Sequence, residues 1–185
     1  MIEKLLQMRM SVYNNPTFQK ELASFVEELG EAIAKSRKER KIFICGNGGS
    51  ASQASHFAAE LTVRYKKKRK SYFALSLSTD TSVITAAAND YSYEDLFSMQ
   101  LENMASKGDI LIALSTSGNS QNVNKALEKA RELELDTFAL LGKTGGGALA
   151  MAKRSLVVPT MDTATIQELH LTVIHLICEY LENVE

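Results

Sequence analysis

The chain has 185 residues, 45% hydrophobic and 23% charged, with 21 Lys and Arg against 22 Asp and Glu for a formal net charge of −1. That length and mixture suit one soluble domain, 1–185, with a substantial core, and balanced charge removes any bulk electrostatic case for nucleic acid or an anionic membrane. No apolar run approaches the ~20 residues that cross a bilayer, and the charges inside MIEKLLQMRMSVYNNP make it a poor signal peptide.

Residues 2–13 are helical in composition, and Asn14-Asn15-Pro16 interrupts them. From Pro16, which suits a first helical turn, apolar residues recur at Phe18, Leu22, Phe25, Val26, Leu29 and Ile33, a helix period ending in the polar stretch 36–41. Two helices ahead of the first strand exceed what one sheet face needs. Segment 1–38 is therefore expected to pack on another subunit, ahead of an α/β core at 41–185.

In that core, apolar runs predict strands at 42–45, 72–77, 110–114, 137–141 and 156–158. Helical stretches separate them at 50–61, 82–88 with 93–104, 120–133 and 147–152, and a last helix runs over 164–181. The alternation predicts a three-layer α/β sandwich, a five-stranded parallel sheet with helices on both faces. Ligands of such sheets bind beyond the carboxyl ends of the strands. The 2 cysteines, Cys45 and Cys178, sit among apolar neighbours and fit a reducing, cytoplasmic compartment.

Beyond the first strand comes Gly46-Asn47-Gly48-Gly49-Ser50. A strand, a glycine turn and a helix start point bare N–H groups at an anion, although a bare tight turn would need the same glycines. The partial dinucleotide fingerprint Gly46-x-Gly48-x-x-Ala51 lacks its ribose-binding acid, because the region where it belongs, 65–70, is basic. That basic run, Lys66-Lys67-Lys68-Arg69-Lys70, reads as a solvated loop able to steer an anionic substrate. On the first core helix His56 and Glu60 lie four residues apart, on one face; a solvated face would give the same spacing.

After the third strand, Ser115-Thr116-Ser117-Gly118-Asn119-Ser120 gathers hydroxyls at a helix start. One cap accounts for one hydroxyl, whereas the whole set makes a phosphate site that needs no cation. The last helix carries Gln167, His170 and His175. Gln167 and His175 stand roughly 12 Å apart along its axis, so they reach one point only when both are extended or when they come from two subunits.

Together CGNGGSASQASHFAAEL, AAANDYSYEDLF, GDILIALSTSGNSQNV and TIQELHLTVIH resemble the phosphoheptose isomerases of the sugar-isomerase (SIS) domain superfamily, over nearly the whole chain. The resemblance implies a flavodoxin-like SIS fold and a cytoplasmic homotetramer with active sites between subunits. It implies conversion of sedoheptulose 7-phosphate into D-glycero-D-manno-heptose 7-phosphate, which begins activated heptose synthesis for lipopolysaccharide core or capsule. By motif, Ser115, Thr116, Ser117 and Ser120 would hold the phosphate, and Asn47, Gly48, Gly49, Arg64, Asn89, Asp90, Glu60 and Gln167 would meet the substrate. His56, Glu60, Gln167 and His175 match the ligands of one zinc ion per subunit, and Glu60 and His175 match the catalytic pair.

Two positions depart from the family pattern: Val63 stands where glycine is common, and Thr165 where arginine is common. A carboxylate at Glu60 suits a proton shuttle between adjacent carbons through an enediol, with His175 opening the ring or serving the oxygens. Zinc would polarise the carbonyl, yet a metal-bound Glu60 would be a weaker base. Two other roles exist among SIS proteins, binding the replication initiator without catalysis and sensing a sugar phosphate; Glu60 and His175 favour the enzyme.

Overall fold

Apolar residues in unbroken runs can only be buried from both sides, and the five runs form five parallel strands, β1 Ile42–Gly46, β2 Ala74–Ser76, β3 Ile110–Ser115, β4 Asp136–Gly142 and β5 Arg154–Val158, in the order β2-β1-β3-β4-β5. The computed structural model describes residues 1–36 and 39–184. Residues 37 and 38, within the expected polar stretch and at the end of the expected segment 1–38, lie outside the described residues.

Strand side chains alternate between two cores. Ile42 and Ile44 of β1 and Ile110 and Ile112 of β3 pack with α2 (Pro16–Lys35), α3 (Gly49–Thr62) and α8 (Thr163–Asn183). Phe43, Cys45, Leu111 and Ala113 face α4 (Thr81–Asp90), α5 (Leu96–Met104), α6 (Gln121–Glu132) and the short α7 (Ala148–Met151). The result is the expected three-layer sandwich.

The helices at the amino end part company. α2 starts on a cap, Asn15 Oδ1 accepting from Phe18 N at 3.0 Å, and buries Phe25, Leu29 and Ile33 completely in this chain's own core. Phe25 meets Phe138 of β4 edge to face, with ring centroids 6.1 Å apart. The apolar stripe of α2 thus covers the β4–β5 half of this chain's own sheet, so that only its other faces are left for the expected packing on another subunit. α1 (Ile2–Tyr13) leaves Ile2, Leu6 and Met10 more than half exposed. It is tied to α8 by polar contacts, Arg9 to Glu168 and Tyr13 Oη to Thr172 Oγ1 at 2.8 Å.

The other differences are local. β2 is shorter than 72–77 because Tyr72 turns back, its N–H donating to Leu61 O at 3.1 Å and its ring lying under the Arg69 guanidinium. The helix expected over 93–104 opens as a 3₁₀ turn, Tyr93–Asp95, capped by Ser92 Oγ on Glu94 N. The basic run is not a free loop. Lys66 pairs with Glu179, both Lys66 N and Lys67 N donate to Glu182 Oε1 at 2.7 Å, and Arg69 donates to Glu60 O and Leu61 O at the carboxyl end of α3. The Lys66 ammonium and two backbone N–H groups thus strap the loop to two acids of α8, and the Arg69 guanidinium ties it to a helix end that favours positive charge.

His170 is fully buried, its Nε2 donating to Leu141 O at 3.0 Å, and burial lowers its pKa to about 4. It is a neutral core histidine. Burial likewise pushes the Cys45 and Cys178 thiols up to about 12. No helix among the described residues is long and apolar enough to cross a membrane.

Candidate functional site

β1 and β3 are neighbours, yet the chain leaves β1 for α3 on one face and β3 for α6 on the other. Such a reversal opens a crevice beyond the strand ends. Both glycine- and serine-bearing loops lie there.

The β1 turn is made by Gly48, whose φ of 55° and ψ of −121° suit a residue without Cβ, and α3 begins at Gly49. α8 runs beside α3 in the same direction. At the start of α3 the Gln167 amide lies against Gly49, where a Cβ would stand 2.5 Å from Gln167 Nε2, and Gln53 Nε2 donates to Gln167 O at 2.6 Å. About two turns further along, His56 Nε2 and His175 Nε2 meet at 3.1 Å. Glu60 Oε1 stands 3.6 Å from His56 Nε2.

One chain therefore brings His56, Glu60 and His175 together, with Gln167 at a different level of the same seam. Tyr65 tilts over the His175 ring at 5.7 Å, its hydroxyl donating to Glu179 Oε1 at 3.3 Å. For the pair to hydrogen-bond, one imidazole must carry its proton on Nε2 and the other must not.

Nitrogen and carboxylate oxygen donors suit zinc. With bonds of about 2.0–2.1 Å, tetrahedral ligand atoms stand about 3.3–3.4 Å apart. The separations of 3.1 Å and 3.6 Å straddle that edge length. The side chains are adjacent rather than convergent, since among the described residues no group of three or more His, Cys, Asp or Glu is disposed to hold an ion as it stands. The donor types are those zinc takes, and Glu60 and Gln167 would have to move inward for the four to share one ion.

Beyond β3, Ser115 Oγ accepts from Gly118 N at 3.0 Å and Ser117 Oγ accepts from Asn119 N at 3.1 Å, which curls the loop over the start of α6. Ser120 occupies the N-cap position of α6 without a side-chain capping bond. Its hydroxyl is thus not explained by capping, the alternative that the sequence left open. With Thr116 half-buried beside them, these groups surround the amino end of a twelve-residue helix, a ready-made anion site. Gly118, at φ 67°, is pressed so closely on the loop after β4 that a Cβ would stand 1.8 Å from Gly145 O.

Among the described residues, the hydrogen bonds of Arg64 and of the Asn89–Asp90 pair lead away from both clusters. Arg64 Nη1 donates to Lys66 O at 3.2 Å, beyond the end of α3. Asn89 and Asp90 close α4, exposed, with Asn89 Nδ2 donating to Asp90 Oδ1 at 2.7 Å. Their neighbour Tyr93 does reach the β1 turn, its hydroxyl donating to Asn47 Oδ1 at 3.0 Å. Sequence reasoning missed Tyr93, Tyr65, Asn122, which pairs with Asn47, and the Gly145–Gly147 brace. Asn122 lay inside the serine motif and Tyr93 inside AAANDYSYEDLF, whereas Tyr65 and the glycines carried no spacing signal.

The profile described as SIS domain matches residues 15–142. Phosphoheptose isomerase of Helicobacter pylori (strain P12) is 48% identical over 187 residues, 99% of this chain and 97% of that protein. Phosphoheptose isomerase 1 of Campylobacter jejuni is 48% identical over 159 residues, 85% of this chain and 86% of that one. Among solved structures, the phosphoheptose isomerase of Neisseria gonorrhoeae superposes with a TM-score of 0.90 at 36% identity, covering 98% of this chain and 97% of its own.

Proposed function

The chain belongs to the phosphoheptose isomerases of the SIS-domain superfamily, and from that membership we propose how its two strand-end clusters divide one reaction. It is a sugar-phosphate isomerase that converts sedoheptulose 7-phosphate into D-glycero-D-manno-heptose 7-phosphate, a step of heptose synthesis. Ser115, Thr116, Ser117 and Ser120 anchor the phosphate at the amino end of α6, where hydroxyls, N–H groups and the helix dipole all favour an anion. The turn Asn47-Gly48-Gly49 carries the sugar chain towards α3, and Glu60 and His175 act on its reacting end.

The observation that carries this reading is the meeting of His56, Glu60 and His175 on the α3–α8 seam, beside the switch point that also holds the serine loop. The Glu60 carboxylate takes a proton from C1 as the C2 carbonyl oxygen gains one, giving the enediol. Returned to C2 while the C1 hydroxyl loses its proton, it completes the aldose. Because the proton moves between adjacent carbons on one side of the intermediate, one carboxylate serves both steps. His175 exchanges protons with the oxygens, and Tyr65 buttresses its ring.

His56, Glu60, Gln167 and His175 are the groups that would hold a zinc ion, which when bound supplies Lewis-acid polarisation of the carbonyl. The exposed apolar residues of α1 support packing against further copies of the chain; by family membership the assembly is a tetramer, with Arg64, Asn89 and Asp90 completing sites between subunits. A cytoplasmic location and a role in surface polysaccharide follow from the same membership. The experiment is Glu60→Gln, expected to lower kcat by about 10²–10⁴-fold while the fold persists; unchanged isomerisation would refute the assignment.

A further inference from the structure

We propose that the Asn47–Asn122 amide pair fixes the spacing between the phosphate anchor and the reacting carbons, with Asn122 and Tyr93 as positioning residues. This rests on the isomerase reading above. Asn47 Nδ2 donates to Asn122 Oδ1 at 2.8 Å, and Asn122 Nδ2 donates back to Asn47 Oδ1 at 2.9 Å. Tyr93 Oη donates to the same Asn47 oxygen at 3.0 Å, and Val123 N donates to Asn122 Oδ1 at 3.0 Å.

A side-chain amide offers two N–H donors and two lone pairs. Both lone pairs of Asn47 are therefore occupied, and one N–H remains. The side chain expected to grip the sugar is committed to the scaffold. What the turn can still offer a substrate is that single N–H together with backbone N–H groups.

The bonds cross from the β1 turn to the first turn of α6, and through Tyr93 to the segment between α4 and α5. These elements leave the sheet on opposite faces, so beyond the β1–β3 ladder the loops need a direct tie. Asn122 is 3% exposed, shielded from water that would compete for the pair. A seven-carbon phosphate held at one end by α6 presents its C1 and C2 to α3 only if that separation is constant, and a 1 Å misplacement can cost about 10²-fold in rate.

The test compares wild type with Asn122→Ala, Tyr93→Phe and the Asn47→Ala/Asn122→Ala double variant. The readouts are kcat and KM for sedoheptulose 7-phosphate, the competitive inhibition constant of inorganic phosphate, and thermal unfolding. Asn122→Ala is expected to lose about 10–100-fold in kcat, with phosphate inhibition within about twofold of wild type. Tyr93→Phe removes one hydroxyl at an exposed position and should lose about two- to fivefold in kcat. The double variant should be no worse than Asn122→Ala by more than about twofold, because both substitutions break one tie.

An Asn122→Ala kcat within about twofold of wild type overturns the proposal, as does an equal loss of phosphate affinity, which would make Asn122 part of the anion site itself. If Asn122→Ala does not fold, an unchanged kcat in Tyr93→Phe overturns it. Wild-type protein unable to isomerise sedoheptulose 7-phosphate defeats the underlying isomerase reading instead, and is recognised before any variant is scored.

Discussion

Gly49→Ala should separate activity from stability. Gly49 opens α3 without a positive φ, so alanine fits its backbone and stabilises by up to about 0.5–1 kcal/mol through the unfolded chain. Against this, the added Cβ would lie 2.5 Å from Gln167 Nε2 and 3.0 Å from its Cδ and Oε1. Those atoms end a flexible side chain, which can rotate away at a cost of about 0.5–1.5 kcal/mol. The terms offset to within about 1 kcal/mol, a shift in Tm of a few degrees for a chain this long.

Gln167 then leaves the β1 turn, and kcat/KM should fall by about 10–100-fold. Thermal unfolding by circular dichroism beside a coupled isomerase assay measures both quantities. Unchanged kcat/KM would mean that the amide over Gly49 has no part in the reaction. A large fall in Tm would mean that the helix start cannot accept a methyl group. The adjacent Gly48→Ala works differently, since no atom lies within 4 Å of its Cβ and its cost is backbone strain alone, about 1–3 kcal/mol.

The protein should lose stability as pH falls from 6.5 towards 4. In that window the unfolded chain protonates His170 and the folded chain does not. The contribution is complete above 6.5 and amounts to about 3 kcal/mol. Urea unfolding at several pH values should show it, and His170→Gln, which keeps a donor for Leu141 O, should flatten it. Gly118→Ala drives a Cβ to 1.8 Å from backbone at a φ of 67° and should cost several kcal/mol, on the order of 3 or more, with loss of phosphate inhibition. An unperturbed crystal structure and wild-type Tm would refute it. Treatment with a chelator, followed by elemental analysis, should remove bound zinc and lower activity; activity indifferent to verified metal removal would take zinc out of the proposal.

Much of this molecule was legible in its residues. Apolar runs around residues 42–45 and 110–114 must be strands covered twice, because each stretch is too short for a helix and too apolar to have a wet face. Glycine after the first and hydroxyls after the third marked the strand ends at which the candidate site lies. Spacing of four put His56 and Glu60 on one face.

Sequence could not say that α2 belongs to this chain's core while α1 keeps an apolar face outward, because one amphipathic stripe looks like another until the sheet area beneath it is known. Nor could it tell that the 66–70 loop is held by Glu179, through the Lys66 ammonium, and by Glu182, through the Lys66 and Lys67 N–H groups, more than a hundred positions away. The convergence of His56 with His175, the displacement of Gln167 to Gly49 and the mutual capture of Asn47 and Asn122 depend on helices that enter from different strands. Local propensity fixes the elements; which side chains meet is set by the order of strands and the faces their connections take, and those are properties of the folded chain alone.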